Sequence, residues 1–194
     1  MVKIMNWFLH CDAFGALLKK AEFTDREGNS LAPQEAFARL TDLAIGCREK
    51  QSFCYCIGNG ASASMAAHFA ADAGKNAALR TMVFTDPALL TAIGNDISYT
   101  EVYAEPLRRY CGKDDLLLAV SSSGNSPNIV AAVRTARECG AAILTFSAMR
   151  PDNSIRALGD INIWVPASSY GDAESAHAFL LHYWLDDLTS ATNH

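Results

Sequence analysis

No run of lysine and arginine appears anywhere in this chain, whose 16 basic residues are outnumbered by 21 acidic ones for a formal charge of −5. Without a basic stripe there is no electrostatic footprint for a nucleic-acid backbone. No stretch approaches the ~18 uninterrupted apolar residues of a membrane-spanning helix. The first 18 residues are broken by Asn6, His10 and Asp12. They lack the charged lead, continuous apolar centre and small-residue cleavage site of a secretory leader. The six cysteines (Cys11, Cys47, Cys54, Cys56, Cys111 and Cys139) show no paired metal-ligand spacing. Cys54 and Cys56 alternate in a strand-like run and share one face, as core residues do. Internal repeats and low-complexity segments are also missing. These absences lead us to expect a soluble, reduced, cytoplasmic protein.

What remains is the material of one globular domain: 194 residues, of which 50% are hydrophobic and 19% charged. That is enough to bury a proper core. We expect a single domain over residues 1–194, with a helical N-terminal extension (1–50) and an α/β core (51–194). Short β-rich runs at 53–58, 81–84, 115–120, 141–147 and 161–165 alternate with helical patterns at 62–74, 87–95, 100–110, 126–139 and 153–158. Strands separated by helices predict a parallel sheet covered on both faces. Leu116-Leu117-Leu118-Ala119-Val120 is apolar at every position, as a doubly covered strand should be. In the first fifty residues, helices are expected around 7–20 and from Pro33 onward, joined through the charged segment 24–30. A last helix is expected from 172 to 189.

Two loops stand out. Ser121-Ser122-Ser123-Gly124-Asn125-Ser126 follows an apolar strand and precedes a helix that opens on Pro127, with Ser126 at the N-cap position. A phosphate there meets backbone N–H groups, the positive end of a helix dipole and several hydroxyls. Four serines and a glycine in six residues exceed what capping needs. Gly58-Asn59-Gly60-Ala61-Ser62 repeats the arrangement after an earlier strand. Two such loops after neighbouring strands predict one sugar-phosphate cleft at the carboxyl ends of the strands. Beyond them, His68 and Asp72 are four apart and share a helix face. The last helix carries Glu174, His177 and His182. Imidazoles and carboxylates can ligate a divalent metal or move protons. If that helix is unbroken, Glu174 and His182 stand about 12 Å apart along its axis. Both reach one metal only if Glu174 lies in the loop entering the helix, or if a neighbouring chain supplies one of them.

At these residues the chain resembles the SIS (sugar isomerase) family, and within it the phosphoheptose isomerases. The resemblance spans roughly residues 36–188. It rests on the turn 58–62 leading to His68-Phe69-Ala70-Ala71-Asp72, on Leu90-Thr91-Ala92-Ile93-Gly94-Asn95-Asp96, on the serine loop, and on Glu174 and His182. It implies a three-layer flavodoxin-like α/β fold with a five-stranded parallel sheet. It also implies a homotetramer with active sites at subunit interfaces, the N-terminal helices serving in oligomerisation. The implied reaction is the aldose–ketose isomerisation of sedoheptulose 7-phosphate to D-glycero-D-manno-heptose 7-phosphate through an enediol, for lipopolysaccharide or capsule heptose. By resemblance, Asp72 is the base and His182 its acid partner. Asn59, Ser62, Asp96, Ser121, Ser122, Ser123, Ser126 and Glu174 bind substrate, and His68, Asp72, Glu174 and His182 are the donors for a zinc ion. The alternatives are a non-catalytic phosphosugar-binding regulator or adaptor with a protein partner, or an isomerase of another sugar phosphate.

The chain also departs from the family pattern. Asp72 stands where glutamate is usual, and Glu174 where glutamine is usual. Gly60-Ala61-Ser62 replaces Gly-Gly-Ser. Tyr170-Gly171-Asp172 replaces a Thr-Ala-Arg run, which removes one positive contact.

Overall fold

The computed structural model describes residues 6–192; the expectations for residues 1–5, 193 and 194 lie outside the described residues. In chain order the elements are α1 (Trp7–Leu18), β1 (Glu22–Asp25), α2 (Pro33–Glu49), β2 (Cys54–Gly58), α3 (Ala61–Ala77), β3 (Thr81–Met82) and α4 (Pro87–Asp96). They continue with α5 (Ala104–Tyr110), β4 (Leu116–Ser121), α6 (Pro127–Glu138), β5 (Ala142–Ala148), β6 (Ile161–Val165) and α7 (Tyr170–Thr192).

Local chemistry sets many of these boundaries. Proline occupies the first turn of α2, α4 and α6, where its missing N–H costs no hydrogen bond. The Asp86 carboxylate caps α4 by accepting from the N–H groups of Ala88 and Leu89 at 2.9 and 3.1 Å.

The strands form a six-stranded sheet in the order β1-β6-β5-β4-β2-β3. Five strands are parallel. β1 is added at the edge, antiparallel to β6 and in register Glu22 to Trp164 through Asp25 to Ile161. The expected five-stranded parallel sheet is therefore present, and the expectation of a purely helical first fifty residues is corrected by this sixth strand. Its four residues, Glu-Phe-Thr-Asp, show no apolar run because only Phe23 is buried. A turn through Gly28, at φ +85°, returns the chain so that the Leu31 N–H bonds the Phe23 carbonyl. Two expected α-helices are also shorter and tighter. Residues 100–110 divide into a 3-10 turn, Tyr99–Glu101, and α5, and residues 153–158 form a 3-10 turn, Ser154–Ala157.

Side chains alternate between two apolar layers. Cys54, Cys56, Leu116, Leu118, Val120, Leu144 and Phe146 pack under α2, α3 and α7. Tyr55, Ile57, Leu117, Ala119 and Ile143 pack under α5, α6 and the 3-10 turns. On α3 the inward face is Ala66, Ala70, Ala73 and Ala77, which lets the helix lie close to β2 and β4. The parallel strands follow the flavodoxin order, so the chain reverses its winding direction between β2 and β4. In such sheets the crevice at that reversal, outside the carboxyl ends of the strands, is where ligands bind. The glycine turn follows β2 and the serine loop follows β4, one on each side of it.

Candidate active site

Both loops are shaped by glycines that no larger residue can replace in place. A Cβ on Gly58 would lie 2.5 Å from the backbone carbon of Ser62, so the chain leaving β2 doubles back onto the start of α3. The Ser62 N–H closes that turn on the Asn59 carbonyl at 3.0 Å. From below, the buried Tyr103 hydroxyl donates to the Gly58 carbonyl. Burial pushes the Tyr103 phenol up to about 12, so it stays a donor. Gly124 sits at φ +64°, and a Cβ there would lie 1.9 Å from Asn153 Oδ1. The Asn153 side chain is itself held by the Arg150 carbonyl (2.8 Å), so it cannot readily yield.

The serine loop is braced on one side by the 3-10 turn. The Ile155 N–H donates to the Gly124 carbonyl (3.1 Å), and the Ser154 N–H and hydroxyl donate to Asn125 Oδ1 (2.9 and 2.8 Å). Ser121 and Ser123 accept from N–H groups within the loop, of Gly124 (3.2 Å) and Asn125 (3.3 Å). Ser126 holds the expected cap position of α6, but its hydroxyl makes no capping bond. Ser122 Oγ is buried and finds no partner among the described protein groups. The Ser126 hydroxyl, left unused at the N-terminus of α6, is suited to a phosphate oxygen.

The two loops are joined by Asn59, expected from the sequence to contact substrate, and by Asn128, which the sequence pattern does not single out. Asn59 Nδ2 donates to Asn128 Oδ1 at 2.9 Å, and Asn128 Nδ2 donates back to Asn59 Oδ1 at 2.8 Å. The Tyr99 hydroxyl lies 3.4 Å from the same Asn59 oxygen. Asn128, in the first turn of α6, is 1% exposed. An asparagine near a helix start reads as routine helix-end chemistry, and no spacing rule links it to a residue 69 positions earlier.

His177 is fully buried on α7. Its Nε2–H donates to the Ser147 carbonyl at 3.1 Å, and its Nδ1 has no partner among the described protein groups. Burial pushes its pKa down to about 4, so the ring is neutral. Ser147 pairs with Ser121 across β5 and β4, and the next residue, Ala148, donates its N–H to the Ser122 carbonyl at 3.1 Å. The imidazole thus ties α7 to the strand end that carries the serine loop.

The remaining sequence-predicted residues fall in separate places. His68 Nε2 is 3.2 Å from Asp72 Oδ2, and Lys75 Nζ is 3.3 Å from Asp72 Oδ1. The His68 and His182 rings meet edge to face at 5.3 Å. Between α3 and α7 their crevice, walled by Met65, Phe69 and Leu181, holds only about 50 Å³, room for a water or two but not for a sugar. Glu174 lies inside α7, which is unbroken from Tyr170 to Thr192, so it stands about 12 Å along the axis from His182. The entering-loop position is excluded by this helix. Among the described residues no group of three His, Cys, Asp or Glu side chains is close enough to hold a metal ion. The four expected zinc donors therefore do not close around an ion within one chain. Asp96 ends α4, accepts from Asn95 Nδ2 at 2.8 Å and lines a groove with Ile93, Glu105, Arg109 and Tyr110.

The SIS domain pattern matches residues 29–148, a span that holds both loops and the strands β2 to β5. The chain belongs to the SIS domain family. Among SIS relatives it is 32% identical to the phosphoheptose isomerase of Helicobacter pylori (strain P12) over 159 residues, 79% of this chain and 82% of that one. It is 31% identical to that of Aromatoleum aromaticum over 180 residues, 86% of this chain and 90% of that one. The solved phosphoheptose isomerase of Neisseria gonorrhoeae superposes with a TM-score of 0.78 at 25% identity, covering 93% of this chain and 96% of that one. The SIS match ends before α7. No helix among the described residues is long and apolar enough to cross a membrane.

Proposed function

We propose that the protein is an aldose–ketose isomerase that converts sedoheptulose 7-phosphate to D-glycero-D-manno-heptose 7-phosphate. One observation carries the reading. A glycine turn and a serine-rich loop flank the reversal point of the sheet and are tied together by the Asn59–Asn128 amide pair. The names of the SIS relatives, phosphoheptose isomerases over most of both chains, support the same reaction.

In this reading Ser62, Ser121, Ser123 and Ser126, with the N-terminus of α6, receive the phosphate, and Ser122, Asn59 and Asp96 contact the sugar. Asp72 takes a proton from C1 of the ketose and the electrons shift to give an enediol. His182 moves a proton between the two oxygens, and C2 is then protonated to yield the aldose, returning Asp72 to its starting form. The Asp72 carboxylate is supported for this role by its place between His68 and Lys75. Ser62 and His68 lie on one helix about 9 Å apart along its axis, a span suited to a seven-carbon chain held by its phosphate end.

The exposed ring of His68 and the small α3–α7 crevice favour a site completed by a second copy of this chain. We therefore propose a homo-oligomer, a homotetramer by family resemblance, with Glu174 reaching the sugar from a neighbouring subunit. A zinc ion at His68, Asp72, Glu174 and His182 also requires that neighbour. We place the enzyme in the cytoplasm, supplying heptose for lipopolysaccharide or capsule, a setting supported by its six free cysteines. The test is incubation of purified protein with sedoheptulose 7-phosphate, with and without zinc, and product identification by NMR. An aldoheptose 7-phosphate supports the reading, and binding without turnover overturns it.

A further inference from the structure

We infer that Asn128 is a positioning residue that fixes the Asn59 amide as a pure hydrogen-bond donor toward an oxygen of the bound sugar. The inference rests on the isomerase reading of this cleft and adds the polarity of one contact. An asparagine amide has two N–H donors and one oxygen with two lone pairs. Here Asn128 Nδ2 donates to Asn59 Oδ1 at 2.8 Å, and the Tyr99 hydroxyl approaches that oxygen at 3.4 Å. The Asn128 bond occupies one lone pair, and the Tyr99 hydroxyl stands over the other. One Asn59 N–H is spent on Asn128 Oδ1 at 2.9 Å. What remains is a single N–H at the mouth of the crevice between β2 and β4.

A lone donor held in place recognises a carbonyl, hydroxyl or enediolate oxygen and does not serve a sugar O–H that must donate. It becomes more favourable as negative charge develops on that oxygen, provided its orientation is already fixed. Asn128 is suited to do the fixing because it is 1% exposed and sits in the first turn of α6. Tyr99, 64% exposed, is the weaker outer support.

The experiment is a double-mutant cycle with an independent spectroscopic arm. Asn59→Ala, Asn128→Ala and the double variant are compared for kcat, KM with sedoheptulose 7-phosphate, and affinity for inorganic phosphate. Asn128→Ala is expected to lower kcat/KM by roughly 10- to 100-fold, with the affinity for inorganic phosphate within about threefold of wild type. The double variant is expected to be no worse than Asn59→Ala alone, because Asn128 acts through Asn59. Full additivity, or loss of phosphate affinity equal to the loss of kcat/KM, overturns the inference. Tyr99→Phe removes an exposed hydroxyl, does not endanger folding, and is expected to show a smaller loss that also vanishes in the Asn59→Ala background. The spectroscopic arm needs no substrate: the Asn59 side-chain amide of wild type is expected to be protected from hydrogen exchange, and protection is lost in Asn128→Ala. If wild type converts no sedoheptulose 7-phosphate, the activity reading fails. An Asn59 amide equally protected in both proteins instead removes the lock.

Discussion

Gly58 and Ser62 approach so closely that a single added methyl group would collide with the backbone at the start of α3, 2.5 Å from its nearest atom. The contact is backbone against backbone, so no rotamer change relieves it. Gly58→Ala must move the turn, the helix start or both, and it also disturbs the Tyr103 bond to the Gly58 carbonyl. We expect it to cost about 2 kcal/mol of stability, the usual scale for forced overpacking. Affinity for inorganic phosphate should fall at least about tenfold because Ser62 is displaced. Denaturant unfolding and phosphate titration of the variant check both. A variant as stable and as tight as wild type would show that the turn is not closed in this way.

His177 gives a pH dependence with a definite sign. Its folded pKa is pushed down to about 4 by burial, against an unfolded value near 6.5. Above pH 6.5 both states are neutral at this group and its stabilising contribution is complete. As pH falls from 6.5 toward 4 the unfolded state takes up a proton that the folded state refuses, so stability drops, by about 3 kcal/mol in all. Below 4 the loss levels off. Carboxylates titrate in part of the same window, so the measurement is the difference between wild type and His177→Phe. The wild type should show the steeper fall in Tm between pH 6.5 and 4.5, and equal slopes would mean that the ring is not held neutral.

What could be read from sequence was what local pattern encodes. The apolar run 116–120, the serine loop after it and the proline-led start of α6 each lie within a few residues, and each formed nearly as expected. β1 was illegible because it is an edge strand with one buried residue, held by pairing to β6 some 140 positions later. The region 99–110 broke because Val102 and Tyr103 turn inward to fill the core and reach Gly58, which a continuous helix would not allow. In the cleft, the loops were visible but their connection was not. The Asn59–Asn128 pair and the His177–Ser147 bond join residues 69 and 30 positions apart. Such contacts follow from topology and leave no spacing signature.

Asp72 stands between two cationic or potentially cationic side chains on an exposed helix face, one methylene shorter than the glutamate of the family pattern. If it is the base, Asp72→Asn keeps the shape and removes the proton acceptor. We expect kcat to fall by about 10²- to 10⁴-fold while inorganic phosphate still binds, since the phosphate loops are untouched. Asp72→Glu should retain measurable turnover, whereas Asp72→Asn should not recover at any pH. Turnover of Asp72→Asn within a few-fold of wild type would remove this residue from proton transfer.

Glu174 and His182 cannot meet within one chain, because the helix that carries both is continuous and sets them about 12 Å apart. If both serve one site, two subunits must share it, and that arrangement has a consequence no single-chain site can imitate. Glu174→Ala and His182→Ala homo-oligomers should each be inactive or nearly so. Dissociated, mixed in equal amounts and reassociated, they should regain activity, because some interfaces then bring together an intact Glu174 from one chain and an intact His182 from the other. Random assortment gives about one quarter of the sites both residues in a closed symmetric oligomer. Zinc binding, followed by equilibrium dialysis of the same mixtures, should recover in parallel if the ion uses these donors. Activity that recovers without zinc assigns the pair to substrate and proton handling alone. Mixtures that stay as inactive as their parents, despite exchange verified by mass spectrometry, would mean that Glu174 and His182 do not work at one shared centre.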